Sequence, residues 1–330
     1  MKILSMYVRT LGRANADGLI SSALAGAVIW LIVVAWLHPS PFETGWAVSL
    51  LLLSPLVLVP LGLRLAAPSE QEQSRSWLWL AAFRLQLPAA LVLVAAFAIS
   101  AGLMAAVLSL PWLLTTSIIS LTGLARIRRR GLSPIEELCL DAGLVYLVVG
   151  GVWTVMSRWG LRPLNFEAII VLLTAIHFHF AGFALPILTG LAGRALKGEM
   201  ARTASVGVIV GIPMVAVGIT TTQLGFRPLL ECLAAILTAI AGLLSAGLHL
   251  RLFAQSSWPK LVRALWLIAA LSLAASMILA AIYGSRAYLS VAWLDIPWMR
   301  ALHGSANALG FALLGTLAWS LAHRSSPPRS

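Results

Sequence analysis

The chain has 330 residues, of which 60% are hydrophobic and only 10% are charged, and its mean hydropathy is +0.94. Soluble domains carry about 25% charged residues, so this composition excludes an ordinary soluble protein and indicates a protein whose solvent is lipid. The net charge of +12 would favour nucleic-acid binding in a soluble protein. Here the basic residues fall between apolar runs, where they orient helices and contact anionic headgroups. We therefore expect the lipid bilayer as a partner, and no nucleic acid.

About ten apolar segments are long enough to cross a bilayer, because a spanning helix needs about 20 mostly apolar residues. The predicted spans are 17–37, 45–66, 77–97, 102–124, 134–156, 167–191, 203–223, 228–250, 261–283 and 299–321. Backbone polar groups in lipid must be satisfied within each segment, so the predicted fold class is all-α, a polytopic integral membrane helical bundle. We expect one transmembrane domain over residues 1–324 and a disordered tail at 325–330. The break between spans three and four is open, near Ser100 or near Pro111.

The distribution of Lys and Arg predicts the orientation, because cytoplasmic loops hold most of them. With the N-terminus inside, 17 basic residues fall on the inner side, 5 on the outer side, and Arg84 lies within a span. The inner residues are Lys2, Arg9, Arg13, Arg64, Arg75, Arg126, Arg128, Arg129, Arg130, Arg194, Lys197, Arg202, Arg251, Lys260, Arg263, Arg324 and Arg329; the outer ones are Arg158, Arg162, Arg227, Arg286 and Arg300. This split predicts a multi-pass inner-membrane protein with both termini in the cytoplasm.

Ionisable residues within spans cost about 2.5–3.5 kcal/mol each on insertion scales and so mark functional hypotheses. His177 and His179 lie near the middle of span six, roughly 15 Å from either surface at about 1.5 Å per residue. Side chains two residues apart on an α-helix point about 200° apart around its axis. The two rings therefore face different helices and cannot chelate one metal unaided. Three roles stay open for them: structural hydrogen bonding, proton or substrate handling, and ligation of haem or a metal.

Four other polar residues lie in the outer half of the predicted bundle. In span ten, His303 and Asn307 lie one turn apart on one face, which would line an outward vestibule or form two interhelical hydrogen bonds. Glu167 and Glu231 begin spans six and eight, where a carboxylate caps the helix or attracts a cation.

Asp141 lies deeper in span five, about 10 Å from the inner surface. It would form an intramembrane ion pair with Arg84 if span three starts at Trp77. If span three starts near Leu87, Asp141 needs another partner.

Several enzyme signatures are absent from the sequence: a Walker A loop, GxGxxG before a helix, HExxH and GxSxG. An ATP-driven pump or a common hydrolase is therefore disfavoured, and an enzyme is the less favoured class. Cys139 and Cys232 are predicted at different depths, so we expect two free, buried thiols. No cofactor is expected, with haem or copper as the alternative.

Two motifs carry a resemblance to a known family. Leu173 to Phe183 reads Leu-Thr-Ala-Ile-His-Phe-His-Phe-Ala-Gly-Phe, and His303 to Phe311 reads His-Gly-Ser-Ala-Asn-Ala-Leu-Gly-Phe. Together they resemble the YndJ-like family of bacterial membrane proteins, in which both stretches recur, and the resemblance is expected to cover all ten spans. Some members are longer, with an added soluble region. The resemblance implies a membrane protein, and the family has been labelled a transporter family.

A weaker similarity concerns the His-Phe-His stretch alone, which is similar to a haem-binding helix of haem–copper oxidase catalytic subunits. Those proteins need further histidine pairs on other helices, and this chain has six histidines, none adjacent. A full oxidase site is therefore excluded. A single haem between His177 or His179 and His303 stays open.

Three functions follow as hypotheses. The first is a secondary transporter of a small solute or ion, with a path from His303 and Asn307 to a midplane site at His177 and His179, and with Glu167 or Glu231 at its entrance. The second is a redox or sensor membrane protein that binds haem or a metal through these histidines. The third is a scaffold without either activity.

Overall fold

The structure is a computed structural model that describes residues 2–67 and 76–325, with side chains over 17–67 and 76–323. Within these ranges the chain is helical and has no strand, and ten helices are long and apolar enough to cross a membrane. They are α1 (Lys2–Leu37, its spanning part Asp17–Leu37), α2 (Thr44–Leu65), α3 (Trp77–Ala98), α4 (Leu103–Arg130), α5 (Ile135–Trp159), α6 (Ala168–Leu196), α7 (Glu199–Gln223), α8 (Leu229–Ala254), α9 (Lys260–Gly284) and α10 (Ile296–His323, with its helical turns continuing to Ser325). This all-α membrane bundle confirms the predicted fold class. The predicted tail at 325–330 falls, beyond Ser325, outside the described residues.

Successive helices run in opposite directions, so the bundle has two ends. We call the end at which α1 begins its span at Asp17 the near end, and the opposite one the far end. At the near end, Arg126 of α4 donates to the carbonyl of Ala66 just after α2. At the far end, Arg300 of α10 lies 3.4 Å from the carbonyl oxygen of Pro41, just before α2. Contacts of this kind join the helix ends on each side.

The break between α3 and α4 lies at residues 99–102, the first of the two predicted positions, and Pro111 falls inside α4. The Arg158 guanidinium at the end of α5 donates to the carbonyl oxygens of Ala96 (3.2 Å) and Ile99 (2.7 Å), which are left without intrahelical donors where α3 ends. Gly102, at φ +158°, begins the turn into α4. An arginine from another helix therefore caps α3, which no local sequence signal indicates.

Among the described residues, three helices contain π-helical turns, in which the backbone hydrogen bonds run from i to i+5. These turns are Ser54–Leu58 in α2, Phe180–Ala184 in α6, and Arg300–Gly304 and Ala306–Leu313 in α10. In α2 the cause is local: Pro60 has no N–H to donate to the carbonyl of Leu56, four residues earlier. Helix α1 approaches that carbonyl at Gly26, where a Cβ atom would lie 1.9 Å from the Leu56 oxygen.

Burial differs strongly between the helices and defines the centre of the bundle. Of the most apolar window of α2, 89% is buried, against 22% for α1 and 33% for α3, α7 and α9. Helix α2 therefore lies at the centre, and the largely exposed helices form the face that meets lipid. Cys139 and Cys232 are both buried and free, as predicted.

Candidate functional site

The two histidines of α6 point to different neighbours, as their two-residue spacing predicts. His179 is fully buried between α4, α5 and α6. His177 faces the other way, towards the side on which the next turn of α6, Phe180–Ala184, packs against Ala306–Leu313 of α10, the helix that carries His303. The π-helical turn that follows, Phe180–Ala184, precedes Pro186, which cannot donate to the carbonyl four residues earlier. Of the two histidines of α6, only His177 therefore lies on the side that faces α10 and His303.

Both ring nitrogens of His179 are used in hydrogen bonds. Nδ1 lies 2.8 Å from the carbonyl oxygen of Ala175, which can only accept, so Nδ1 carries the proton. Nε2 accepts from the indole Nε1–H of Trp112 at 3.0 Å, and the two rings stack with centroids 5.9 Å apart. A Cβ atom at Gly150 would lie 2.6 Å from Nδ1, so glycine is what lets α5 approach the ring. His179 thus has a structural role and is separate from the site around His177.

Across from His177, three side chains of α9 and α10 form a closed hydrogen-bonded group. His303 Nδ1–H donates to the carbonyl of Ser276 at 2.8 Å, and Asn307 Nδ2–H donates to His303 Nε2 at 3.1 Å. The Ser276 hydroxyl lies 3.0 Å from Asn307 Oδ1 and 2.9 Å from the carbonyl oxygen of Leu273. We call Ser276, His303, Asn307 and His177 the polar cluster.

The polar cluster has unused hydrogen-bonding capacity. His177 Nε2 is buried and has no hydrogen-bond partner in the part of the chain that the structure describes. The Asn307 amide can donate a second N–H beyond its bond to His303. Unpaired polar atoms in a dry interior cost free energy, so each of them needs a physical explanation. A ligand that hydrogen-bonds to these atoms would supply one.

The backbone of α10 is unusual where it carries the cluster. His303 and Asn307 lie in two π-helical segments, Arg300–Gly304 and Ala306–Leu313, and such segments occur frequently at functional sites. Helix α2 bounds this side, because Trp46 Nε1–H donates to the Ser305 hydroxyl at 2.8 Å. The cluster is therefore bordered by α2, α6, α9 and α10. Sequence reasoning found His177, His303 and Asn307 but missed Ser276, for which a serine in an apolar span is only a weak signal.

The two predicted entrance carboxylates lie outside the polar cluster. Glu167 is exposed at the residue preceding α6, and its side chain caps no backbone N–H. Glu231, in the first turn of α8, accepts from Arg286 at 2.6 Å. The Arg286 guanidinium also lies over the Tyr283 ring, 4.4 Å from its centroid. An arginine therefore balances the Glu231 charge, a pairing that the sequence did not indicate.

The proposed ion pair between Asp141 and Arg84 is not formed, which corrects that prediction. Asp141 is fully buried, with Oδ1 2.7 Å from Arg126 Nε and Oδ2 2.5 Å from Arg130 Nη2, whereas Arg84 is exposed on α3. The physical reason is the length of α4. It continues to Arg130 instead of ending near residue 124, so two arginines four residues apart lie over the first turns of α5.

A second carboxylate extends this ion-pair network at the near end. Glu137, four residues before Asp141, binds the Arg194 guanidinium through both oxygens, with Oε2 2.7 Å from Nη2. Arg126 also donates to the carbonyl of Ala66. The network therefore joins α4, α5 and α6 to the end of α2. Its sequence signal was the four-residue spacing within each pair, Arg126 with Arg130 and Glu137 with Asp141.

A family model described as YndJ-like protein matches residues 49–311, from within α2 to within α10. The chain belongs to the YndJ-like family. The match includes the whole polar cluster and leaves α1 outside. This YndJ-like protein is 30% identical over 216 residues to a Bacillus subtilis (strain 168) protein named Uncharacterized membrane protein YndJ. The alignment covers 64% of this chain and 38% of the relative, so the chain spans well under half of the relative's length. No solved structure matches the chain.

Proposed function

We propose that this YndJ-like protein is a secondary transporter of a small, uncharged polar solute, with the polar cluster as its binding site. The observation that carries the proposal is His177 Nε2, which is buried and has no hydrogen-bond partner among the described residues, together with the hydrogen-bonded group of Ser276, His303 and Asn307. Polar side chains within membrane helices are costly and mark substrate paths. Transporter sites commonly lie at irregular helix segments near the bilayer midplane, which the π-helical turns of α6 and α10 resemble.

The chemistry of the cluster favours an uncharged solute. Its four side chains are two imidazoles, an amide and a hydroxyl, without a carboxylate, a lysine or an arginine. The nearest cation on α10, Arg300, is directed to the carbonyl of Pro41. A bare ion would lose hydration without gaining a counter-charge in such a site. Glu167 stays a candidate for the solute entrance, whereas Glu231 already has Arg286 as its counter-ion.

Flux through purified protein in liposomes tests the proposal. Glycerol, urea and erythritol serve as uncharged probes, and stopped-flow light scattering follows the re-swelling of the vesicles. We expect faster re-swelling than in protein-free vesicles for at least one probe. His303→Gln should slow that flux roughly tenfold by breaking the cluster, since one hydrogen bond of about 1.4 kcal/mol corresponds to a factor of ten. His38→Gln, at an exposed histidine of the α1–α2 connection, is the matched control.

The proposal fails if folded protein passes none of the three probes faster than bare lipid. It also fails if His303→Gln and His38→Gln have equal flux. Circular dichroism and size-exclusion profiles of each variant establish that the compared proteins are folded.

We also propose that the protein resides in the bacterial cytoplasmic membrane with both termini in the cytoplasm, so that the near end faces the cytoplasm. The support is the uneven distribution of Lys and Arg between the two sides. Alkaline phosphatase fused after Gly160, at the far end, should be active, and the same fusion after Gly198, at the near end, should be inactive. The reverse pattern would refute the orientation.

The haem- or metal-binding hypothesis is a second proposal, favoured by one observation. His177 Nε2 is a buried ring nitrogen without a hydrogen-bond partner among the described residues. Such nitrogens can ligate haem or copper. A Soret band or stoichiometric copper or iron in the purified protein would support this function over transport. A colourless preparation free of both metals would refute it.

A further inference from the structure

A second buried histidine lies on α8, in the half of the bundle towards the near end. His249 is fully buried, and its Nδ1 lies 2.9 Å from the carbonyl oxygen of Ser245, four residues earlier. Because that carbonyl can only accept, Nδ1 carries the proton and Nε2 carries a lone pair. Nε2 is buried and has no hydrogen-bond partner among the described side chains and backbone groups. His249 is therefore a hydrogen-bond acceptor in the interior that no donor of the described residues satisfies.

Two further polar groups lie about one helical turn from His249. The Ser245 hydroxyl forms a 2.8 Å hydrogen bond with the Thr189 hydroxyl of α6, and both side chains are fully buried. The His249 ring packs edge-to-face against the Phe311 ring, with the two centroids 5.7 Å apart. Phe311 is a residue of α10. Helices α6, α8 and α10 thus meet at a second polar position, partly closed by an aromatic ring.

Helix α10 connects this position with the polar cluster. His303, Asn307 and Phe311 follow at intervals of four residues, so they lie along one side of the helix. The polar cluster occupies the first two positions, and Phe311, which contacts His249, occupies the third. Phe311 of α10 therefore lies between the polar cluster, which shares its side of the helix, and the second polar position on α6 and α8, which its ring contacts.

We propose that His249, with Ser245 and Thr189, is a second binding position for a small, uncharged hydrogen-bond donor, reached from the near end, and that Phe311 separates it from the polar cluster. A polar solute that leaves the cluster loses its hydrogen bonds inside an apolar bundle, and the His249 Nε2 lone pair offers the next acceptor on the way. This inference rests on the proposed transport function, because it assumes that a solute passes along α10.

Accessibility of introduced cysteines tests the inference without knowledge of the solute. The background carries Cys139→Ser and Cys232→Ser, which removes both native thiols. Ser245→Cys is a near-isosteric change one turn from His249. The reagent is a membrane-impermeant methanethiosulfonate, applied to one side of the vesicle membrane at a time. Because the position is buried, labelling requires the helices to separate transiently at the near end.

We expect Ser245→Cys to be labelled only from the near end and Ser276→Cys only from the far end. Ala269→Cys, at a fully buried position of α9 outside both sites, should not be labelled from either side. Adding Phe311→Ala should make Ser245→Cys reactive from both sides. His249→Leu, in the background with native cysteines, should lower the flux of a transported probe roughly tenfold.

The outcomes separate the two proposals. If Ser276→Cys is labelled and Ser245→Cys is not, the second position is refuted while the transport proposal stands. If Ser276→Cys is not labelled from either side and no probe moves, the transport proposal fails and the second position fails with it. Labelling of Ser245→Cys from the far end alone would also overturn the inference, because the reagent would then have passed Phe311 and not entered from the near end.

Discussion

The hydrogen bond between Trp112 and His179 gives a prediction for which the chain supplies its own control. Trp112 and Trp266 are both fully buried tryptophans in spanning helices. The indole N–H of Trp112 donates to His179 Nε2, whereas that of Trp266 has no hydrogen-bond partner within the described ranges. Replacing either by phenylalanine removes the same volume from a fully buried position. Only Trp112→Phe also removes a hydrogen bond.

The expected difference follows from the protonation of His179. Its Nδ1–H is fixed on the Ala175 carbonyl, so Nε2 must find a donor, and Trp112→Phe leaves it as a buried, unpaired acceptor. Unsatisfied buried groups cost about 1–3 kcal/mol, and hydrogen bonds between membrane helices average about 0.6 kcal/mol with a maximum near 1.7. We expect Trp112→Phe to lower the free energy of unfolding by about 1–2 kcal/mol more than Trp266→Phe.

Reversible unfolding in mixed micelles, followed by far-ultraviolet circular dichroism, measures both free energies. A double-mutant cycle that combines Trp112→Phe with His179→Phe isolates the pair, and the coupling energy should account for most of the difference. Equal costs for the two tryptophan variants, within about 0.3 kcal/mol, would refute the structural role assigned to His179. A coupling energy near zero would refute it as well.

Two further predictions concern the near end and the contact between α1 and α2. Arg126→Gln should destabilise the protein by about 1.5–3 kcal/mol, because it removes one charged hydrogen bond of the buried Asp141 while Arg130 stays in place. The exposed Arg128→Gln should change stability by less than about 0.5 kcal/mol in the same unfolding assay; equal effects would contradict the ion-pair network. Gly26→Ala should disrupt packing, because its Cβ atom would lie 1.9 Å from a backbone oxygen of α2, and Gly304→Ala should be tolerated, because the nearest side-chain atom lies at 3.4 Å. Thermal unfolding of the purified variants compares the two glycines, and a Gly26→Ala protein as stable as Gly304→Ala would refute the close approach.

Hydrophobicity and charge determined the fold class. Apolar runs of about 20 residues fix the number of crossing helices, because lipid leaves no other way to satisfy the backbone. The same rule placed His177 and His179 near the middle of a span, and helical periodicity predicted that their side chains point to different sides of the helix. His303 and Asn307 could be assigned to one face of α10 for the same reason. All of these are properties of one helix in an apolar medium, so they can be read from one segment at a time.

Only the tertiary structure decided which groups meet. Periodicity predicted opposite faces for His177 and His179. The packing of the helices decided that Trp112 donates to His179 and that His177 Nε2 has no hydrogen-bond partner among the described residues. Asp141 was expected at the same depth as Arg84 and so to pair with it. Because α4 is longer than predicted, Arg126 pairs with Asp141 instead.

The far-end pair of Glu231 with Arg286 likewise joins α8 to the turn that follows α9, a contact that neither segment predicts alone. The physical reason is the same in each case. The bilayer fixes how long a helix is and how deep a residue lies, whereas close packing between helices decides which polar atoms find partners and which remain free to bind something else.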